Sequence, residues 1–280
     1  MKDTRGSIRE ALYEAPGPKM QKKILAATVL SLAALSVLLF LIIRMFYENG
    51  QLEGRYWSFF TRATTWRFLG QGLLGTLEAA LISGAMAFAA GFLLMLGRIS
   101  RHRIWRGICT CLVEFTRGVP TLLFIYFFFL VVPQLGIRLD SIWKITMPVA
   151  ISACGVVAEV LRSGVNAVPK GQTEAALSLG MRDGSVFLKV VFPQAIRFVI
   201  PALISELVIV VKDTTFAYVV NFPDLMQNAR VLISNYDAML SVYLVVAVIY
   251  ILINFLLNKA SASIARRRNN VITDPLELVD

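Results

Sequence analysis

Pro169-Lys170-Gly171-Gln172-Thr173-Glu174-Ala175-Ala176-Leu177-Ser178-Leu179-Gly180, then nine residues, then Val190-Val191-Phe192-Pro193, form a polar island between long apolar runs. Pro169 and Gly171 break the segment before them. Thr173 is placed to cap a helix start, with Glu174 in the first turn, where a negative charge meets the positive end of the helix dipole. Ala175, Ala176, Leu177 and Leu179 favour helix, and Gly180 stands where a C′ glycine would end it. A second helical stretch, about 183–192, is expected to stop at Pro193. The island therefore reads as two short helices on a membrane surface. The alanines give the first a small side that fits a groove in a soluble partner.

The flanking sequence supplies the membrane. Of the 280 residues, 57% are hydrophobic and 16% charged, against about 45–50% and about 25% in globular domains. Residues 24–43, 118–137 and 238–258 carry no charge at all, and each run has the roughly 20 residues that a crossing helix needs. The pattern predicts about six spans: 24–46, 72–97, 115–133, 143–162, 197–220 and 238–258. The first is too long for a signal-peptide core, and Arg44-Met45 is no small-residue cleavage site, so it reads as a retained span.

A net charge of +10 raises the question of nucleic acid, but the charges sit beside the apolar runs. Lys19, Lys22 and Lys23 precede the first run. Arg98, Arg101, Arg103 and Arg106 follow the second. Lys170, Arg182 and Lys189 lie in the island, and Lys259 and Arg266 to Arg268 follow the last run. Every second connection is basic, the signature of an even number of spans with both termini in the cytoplasm. The remaining connections, about 47–71, 134–142 and 221–237, mix acids and bases and read as outside loops. Tyr56, Trp57, Trp66 and Trp143 suit interfacial anchors.

Other motifs are weighed by context. Gly70-Gln71-Gly72-Leu73-Leu74-Gly75 matches a dinucleotide fingerprint in form only, since no strand–turn–helix surrounds it. One histidine and three cysteines, Cys109, Cys111 and Cys154, offer neither a zinc set nor a disulfide framework. Gly75, Ala79, Ser83, Ala87 and Gly91 recur every four residues in the second span and predict a close helix contact, within the chain or with another subunit. Residues 269–280 lack periodicity and read as a mobile tail.

Two predicted spans break the apolar rule. Span four ends with Glu159 and Arg162, three apart on one face. Span five holds Glu206, Lys212 and Asp213, followed by Thr214 and Thr215, whose hydroxyls either line a polar path or bond back to helix carbonyls. Ionisable groups there face the bundle interior, a partner or a watery path, because a charge in lipid costs at least about 2.5–3.5 kcal/mol. Pro148, Pro193, Pro201 and Pro223 mark kinks in the same region.

Glu174-Ala175-Ala176, three residues, Gly180, nine residues and Val190-Val191-Phe192-Pro193 resemble the EAA loop of bacterial ABC importer permeases, with Val190 and Phe192 where the family usually has Ile and Leu. Arg117-Gly118-Val119-Pro120, Ala158-Glu159-Val160-Leu161-Arg162-Ser163-Gly164, Val168-Pro169-Lys170-Gly171-Gln172 and Lys212-Asp213-Thr214-Thr215 are similar to its polar amino acid branch. Glu14 to Lys19 and Gly50-Gln51-Leu52 look like actinobacterial glutamate permeases.

The resemblance implies an all-α polytopic membrane protein with a five-helix type I importer core plus one N-terminal helix. It implies a cytoplasmic arm at 1–23, the extra helix at 24–46, a permease domain at 70–260 with its EAA loop at about 166–193, and a cytoplasmic tail at 261–280. Glu174, Ala175, Ala176 and Gly180 would form the coupling surface for a cytoplasmic ABC ATPase dimer, which would bind ATP and Mg; this chain has no Walker A sequence and no cofactor of its own. Arg117, Glu159, Arg162, Lys212, Asp213, Thr214 and Thr215 are candidates for the substrate pathway or gate. Further partners would be a second permease, identical or related, an extracytoplasmic amino-acid-binding protein and the bilayer, with no nucleic acid. The implied cargo is a polar amino acid, glutamate first, with glutamine, aspartate or arginine as alternatives. An ATPase-independent channel would leave the EAA loop unexplained, and a membrane enzyme would need a catalytic constellation that one histidine and no clustered acids do not provide.

Overall fold

A computed structural model describes residues 17–272, and among them every regular element is helical. Two units divide the chain, Met1–Tyr56 and Trp57–Asp280. In the first, helix α1 runs Pro18–Glu48, with proline in its first turn, where the missing N–H costs nothing. It begins six residues before the expected span and takes in Lys19, Lys22 and Lys23. Four of its polar side chains bond within the helix. Thr28 and Ser31 donate to the carbonyls of Ile24 and Ala27 at 2.9 and 2.8 Å, and Arg44 pairs with Glu48 at 2.7 Å. The part of the N-terminal arm before residue 17, Glu14 to Pro16 included, lies outside the described residues.

The second unit holds α2 (Ala63–Ile99), α3 (Arg103–Gly118), α4 (Thr121–Leu135), α5 (Ser141–Ala167), α6 (Lys170–Ser178), α7 (Asp183–Val220), α8 (Leu225–Tyr236) and α9 (Met239–Ile272). Among the described residues, five helices, α1, α2, α5, α7 and most of α9, are long and apolar enough to cross a membrane, and α3 with α4 makes a sixth if that pair counts as one span. The pair is not the straight helix expected over 115–133. It bends by 96° at Val119-Pro120, because proline disfavours helical geometry in the residue before it and cannot donate to the turn behind it. α2 starts nine residues before the expected 72, and α9 continues through 269–272, which had read as tail. Residues 273–280 lie outside the described residues.

Two helices contain a π turn. In α7 it covers Phe187–Val191, where the Phe192 N–H reaches the Phe187 carbonyl five residues back. The wider turn gives room for Pro193, so the helix expected to stop there runs on across the membrane. A second π turn covers Phe127–Val131 in α4.

The core forms where α2, α5 and α7 meet. Ala79, Ala80, Ala87 and Met95 of α2 join Val149, Ala150, Ala153, Val157 and Leu161 of α5 and Val199, Val210 and Val211 of α7. The four-residue stripe on α2 is the contact surface, and its partners lie in the same chain. A Cβ on Gly91 would meet the Cys154 carbonyl oxygen at 2.8 Å, and one on Gly75 would meet the Pro223 carbonyl oxygen at 2.4 Å. Backbones approach this closely because apolar side chains gain nothing from leaving lipid, which makes packing itself the driving term. The glycine fingerprint at 70–75 lies inside this helix, and its Gly72 and Gly75 serve the same purpose.

Candidate functional site

The polar island folds into α6, a sharp turn and the start of α7. α6 begins at Lys170 with Pro169 in the N-cap position, four residues earlier than a Thr173 cap would allow; Pro169 has no N–H to satisfy and its fixed φ suits the junction. Gly180 takes φ +77°. The Gly180 N–H bonds the Leu177 carbonyl at 2.9 Å and the Met181 N–H bonds the Ala176 carbonyl at 3.2 Å. These are the paired bonds of a Schellman ending, in which a left-handed glycine satisfies the last carbonyls.

The two alanines face different ways. Ala176 is buried in a small cluster with Val168, Val186, Val191 and Ala195, whereas Glu174, Ala175 and Gly180 are exposed. Leu179, at 83% exposure, and Leu177 also stand out of the fold; sequence reasoning treated them only as helix formers. A groove of about 520 Å³ runs beside α6, lined in part by Thr173, Glu174, Asp183 and Phe187. Across it, Arg101, from the connection between α2 and α3, pairs with Asp183 at 2.9 Å. Gln194 on α7 donates to the Val190 carbonyl at 2.9 Å and to the Gln172 side chain at 3.4 Å.

Glu159 and Arg162 pair on α5 as their spacing predicts, with a 3.3 Å bond from Arg162 Nε. The structure adds a third member. Arg98, at the end of α2, donates to the same carboxylate and is only 12% exposed. The acid therefore fastens two helices through two guanidinium groups, a short charged network that gains from charge-assisted hydrogen bonds.

The residues of α7 separate. Asp213 accepts a 2.7 Å bond from Thr121 Oγ1, which lies 2.8 Å from Ser152 Oγ, joining α7, α4 and α5. Thr121 and Ser152 were missed; their signal was two hydroxyls in otherwise apolar stretches, one directly after Pro120. Lys212 is exposed and makes no ion pair among the described residues. Thr214 and Thr215 bond back to the Val211 and Lys212 carbonyls at 2.8 and 2.6 Å, so of the two readings open to them the local one holds. Glu206 is buried and borders an apolar cavity of about 430 Å³ between α2 and α7. Arg117 is exposed and reaches Glu114 at 3.5 Å, away from the Asp213 group.

Comparison with known proteins places the chain in a family. The family described as "Binding-protein-dependent transport system inner membrane component" matches residues 87–270. The glutamate transport system permease protein GluD of Corynebacterium glutamicum is 33% identical over 246 residues, 84% of this chain and 90% of that protein. A probable glutamine ABC transporter permease protein of Bacillus subtilis, GlnP, is 31% identical over 207 residues, 73% of this chain and 93% of that one. Among solved structures, an amino acid ABC transporter crystallised with histidines superposes with a TM-score of 0.69 at 27% identity, over 75% of this chain and 98% of the other.

Proposed function

This chain belongs to the family of binding-protein-dependent transport system inner membrane components, as a permease subunit of an amino-acid ABC transporter, and we propose that the amino acid it carries is glutamate. Permease subunits of this family are non-catalytic; they work with a separate ATPase and a binding protein. The observation that carries the glutamate reading is the similarity to the GluD protein across 84% of the chain. A glutamine permease of near-equal identity keeps glutamine as the second reading.

In this reading both termini lie in the cytoplasm and α6 is the coupling helix. The exposed Glu174, Ala175 and Leu179 meet the ATPase, while buried Ala176 and the Gly180 ending transmit its movement to α7 without slack. ATP and Mg act in the ATPase dimer. Closure of that dimer draws two coupling helices together, one from this chain and one from an identical or related permease, and turns the permeases from inward-facing to outward-facing by a hinge transition. An extracytoplasmic binding protein delivers the amino acid. Lys212, exposed and unpaired beside Asp213, and Arg117 are the cations available to an acidic cargo. Glu159 and Arg162 act with Arg98 as a structural clamp rather than as substrate ligands.

Uptake of labelled glutamate, glutamine and arginine into proteoliposomes, driven by the cognate ATPase and binding protein, tests the cargo. Glutamate is expected to be taken up fastest and unlabelled glutamate to compete best. Faster uptake of arginine or glutamine overturns the assignment.

A further inference from the structure

Helix α3 lies outside the polar island and reaches the packed core only along one side, through Val113, and its three faces have different chemistry. Val113 and Thr116 are buried, and on the same side Cys109 and Thr116 seat against α2 and α5. A Cβ on Gly97 would meet Cys109 Sγ at 2.2 Å, and one on Gly155 would meet Thr116 Oγ1 at 2.2 Å. A second side carries Ile104, Ile108, Leu112 and Phe115, with Trp105 at its edge. All five are exposed, from 46% at Ile108 and Leu112 to 78% at Ile104. Arg103, Arg106, Thr110, Glu114 and Arg117 fall on the side opposite, at about 100° per residue.

The direction of α3 follows from its neighbours. α4 and α5 are joined by the short turn at 136–140 and meet again where Thr121 bonds Ser152. α4 therefore runs antiparallel along α5, which is long enough to cross the membrane. α3 is turned 96° from α4, so it lies along the membrane plane. A helix so placed, with aliphatic and aromatic residues on one side and arginines on the other, has the make-up of an interfacial helix. Arg103 and Arg106 are exposed and form no ion pair among the described residues, in contrast to Arg98 and Arg101.

We propose that α3 is a lipid-binding helix that sinks Ile104, Trp105, Ile108, Leu112 and Phe115 into the cytoplasmic leaflet and holds the phosphates of anionic phospholipids with Arg103 and Arg106. This rests on the orientation proposed above. Each arginine near an anionic surface contributes a several-fold preference, so the pair gathers anionic lipid around α3 on the order of tenfold. The helix ends at the Val119-Pro120 hinge before α4, so headgroup binding steadies the helix that carries Thr121 to Asp213.

The test uses the full chain in nanodiscs, with Trp57, Trp66 and Trp143 replaced by Phe so that Trp105 is the sole reporter. The discs contain phosphatidylcholine and phosphatidylglycerol in equal amounts, with brominated tails on one or the other. Stronger quenching by brominated phosphatidylglycerol is expected, falling to parity in the Arg103→Gln/Arg106→Gln variant. Equal quenching by both lipids in the parent overturns anionic recognition. No quenching by either shows the face covered by a second copy or another protein, and also overturns the proposal. Arg103→Cys in a chain whose Cys109, Cys111 and Cys154 are replaced by Ala, labelled with an impermeant maleimide in sealed vesicles of known sidedness, tests the orientation separately. Labelling from the outer side would sink the topology and move the bound leaflet, while the quenching result would still report on lipid.

Discussion

α6 and α8 are both too short to cross a membrane and are placed at opposite ends of α7, yet they are held in opposite ways. α6 is laid open: one alanine anchors it, and Glu174, Ala175, Leu177 and Leu179 face solvent. α8 is locked down. Leu225, Asn228, Ala229 and Leu232 are buried. Asn228 Nδ2 donates to the Phe68 carbonyl at 2.7 Å, and the Leu225 N–H bonds Thr76 Oγ1 at 3.0 Å. Gly72 and Gly75 on α2 leave the gap that admits the Pro223-Asp224 backbone. In a lever driven from one end, the driven end needs a free surface and the far end needs a fixed one. The contrast between the two helices has that form.

The largest effect is expected from undoing the lock. In Gly75→Val the first added carbon already meets a backbone oxygen at 2.4 Å, and neither α2 nor the 223–224 turn can retreat without breaking the Thr76 and Asn228 bonds. Overpacking of this kind costs about 1–3 kcal/mol or more, and yield of the detergent-solubilised monodisperse protein should collapse. Gly171→Val, at a glycine in α6 with nothing within 4 Å, should leave that yield intact. Equal losses at both would erase the distinction between a locked and an open helix.

The next effect is functional. Glu174→Lys reverses the charge on the open face of α6 without disturbing the buried side, so its stability should stay within about 0.5 kcal/mol of the parent. Co-purification of the ATPase and ATP-driven uptake should fall at least about tenfold, the cost of about 1.4 kcal/mol of lost docking. Retained uptake would show that α6 is not the driven end.

α6 was legible because everything that shapes it is local: Pro169 ahead of it, alanines and leucines within it, Gly180 after it. Only its first residue was misread, with Thr173 preferred over a proline junction. α8 was missed altogether and read as part of an outside loop. Its signal was present, since Asp224 precedes Leu225, Ala229 and Leu232 at helical spacing and caps the Gln227 N–H at 2.8 Å. The mixed charges of 221–237 drew attention to the loop instead. Thr121 with Asp213, and Arg98 with Glu159, join residues 92 and 61 positions apart. Periodicity along one segment cannot report which helices meet, so these pairs needed the assembled fold. The bend at Val119-Pro120 lay between the two readings, because the proline was visible while the 96° turn depended on the packing of α3 against α2 and α5.

Asp224 offers a gentler way to probe the lock. Burial raises its carboxyl to about 6 from an ordinary 3.8, although backbone N–H groups of Gln227 and Met226 pull the other way. The folded protein thus binds this proton more tightly than the unfolded chain does. The stability gained is fully present below about pH 4 and is lost as pH rises through 6. Asn keeps the cap without the charge, so Asp224→Asn should be more stable than the parent at pH 8 by about 1–3 kcal/mol, with the gap closing toward pH 4. Thermal melts across that range, read by intrinsic fluorescence, check both sign and window. A gap that widens at low pH would mean the carboxylate is favoured where it sits.

The smallest effect belongs to the Arg101–Asp183 ion pair across the groove beside α6. Arg101 and Asp183 are 89% and 64% exposed, and water screens such a pair to about 0–1 kcal/mol. Arg101→Ala and Asp183→Ala should each change the melting temperature barely more than the scatter of repeated melts, and a double-mutant cycle should return a coupling below about 0.5 kcal/mol that shrinks further in high salt. That weakness suits the coupling role proposed for α6: a strong tie from the α2–α3 connection to α7 would resist displacement of the helix. By the same reasoning, joining the two positions covalently, with Arg101→Cys and Asp183→Cys bridged by a short bifunctional maleimide, should leave ATPase docking intact and slow uptake. Uptake that proceeds unchanged through the crosslink would mean that α6 and the start of α7 travel together with the α2–α3 connection, and that the open end is less free than its exposure suggests.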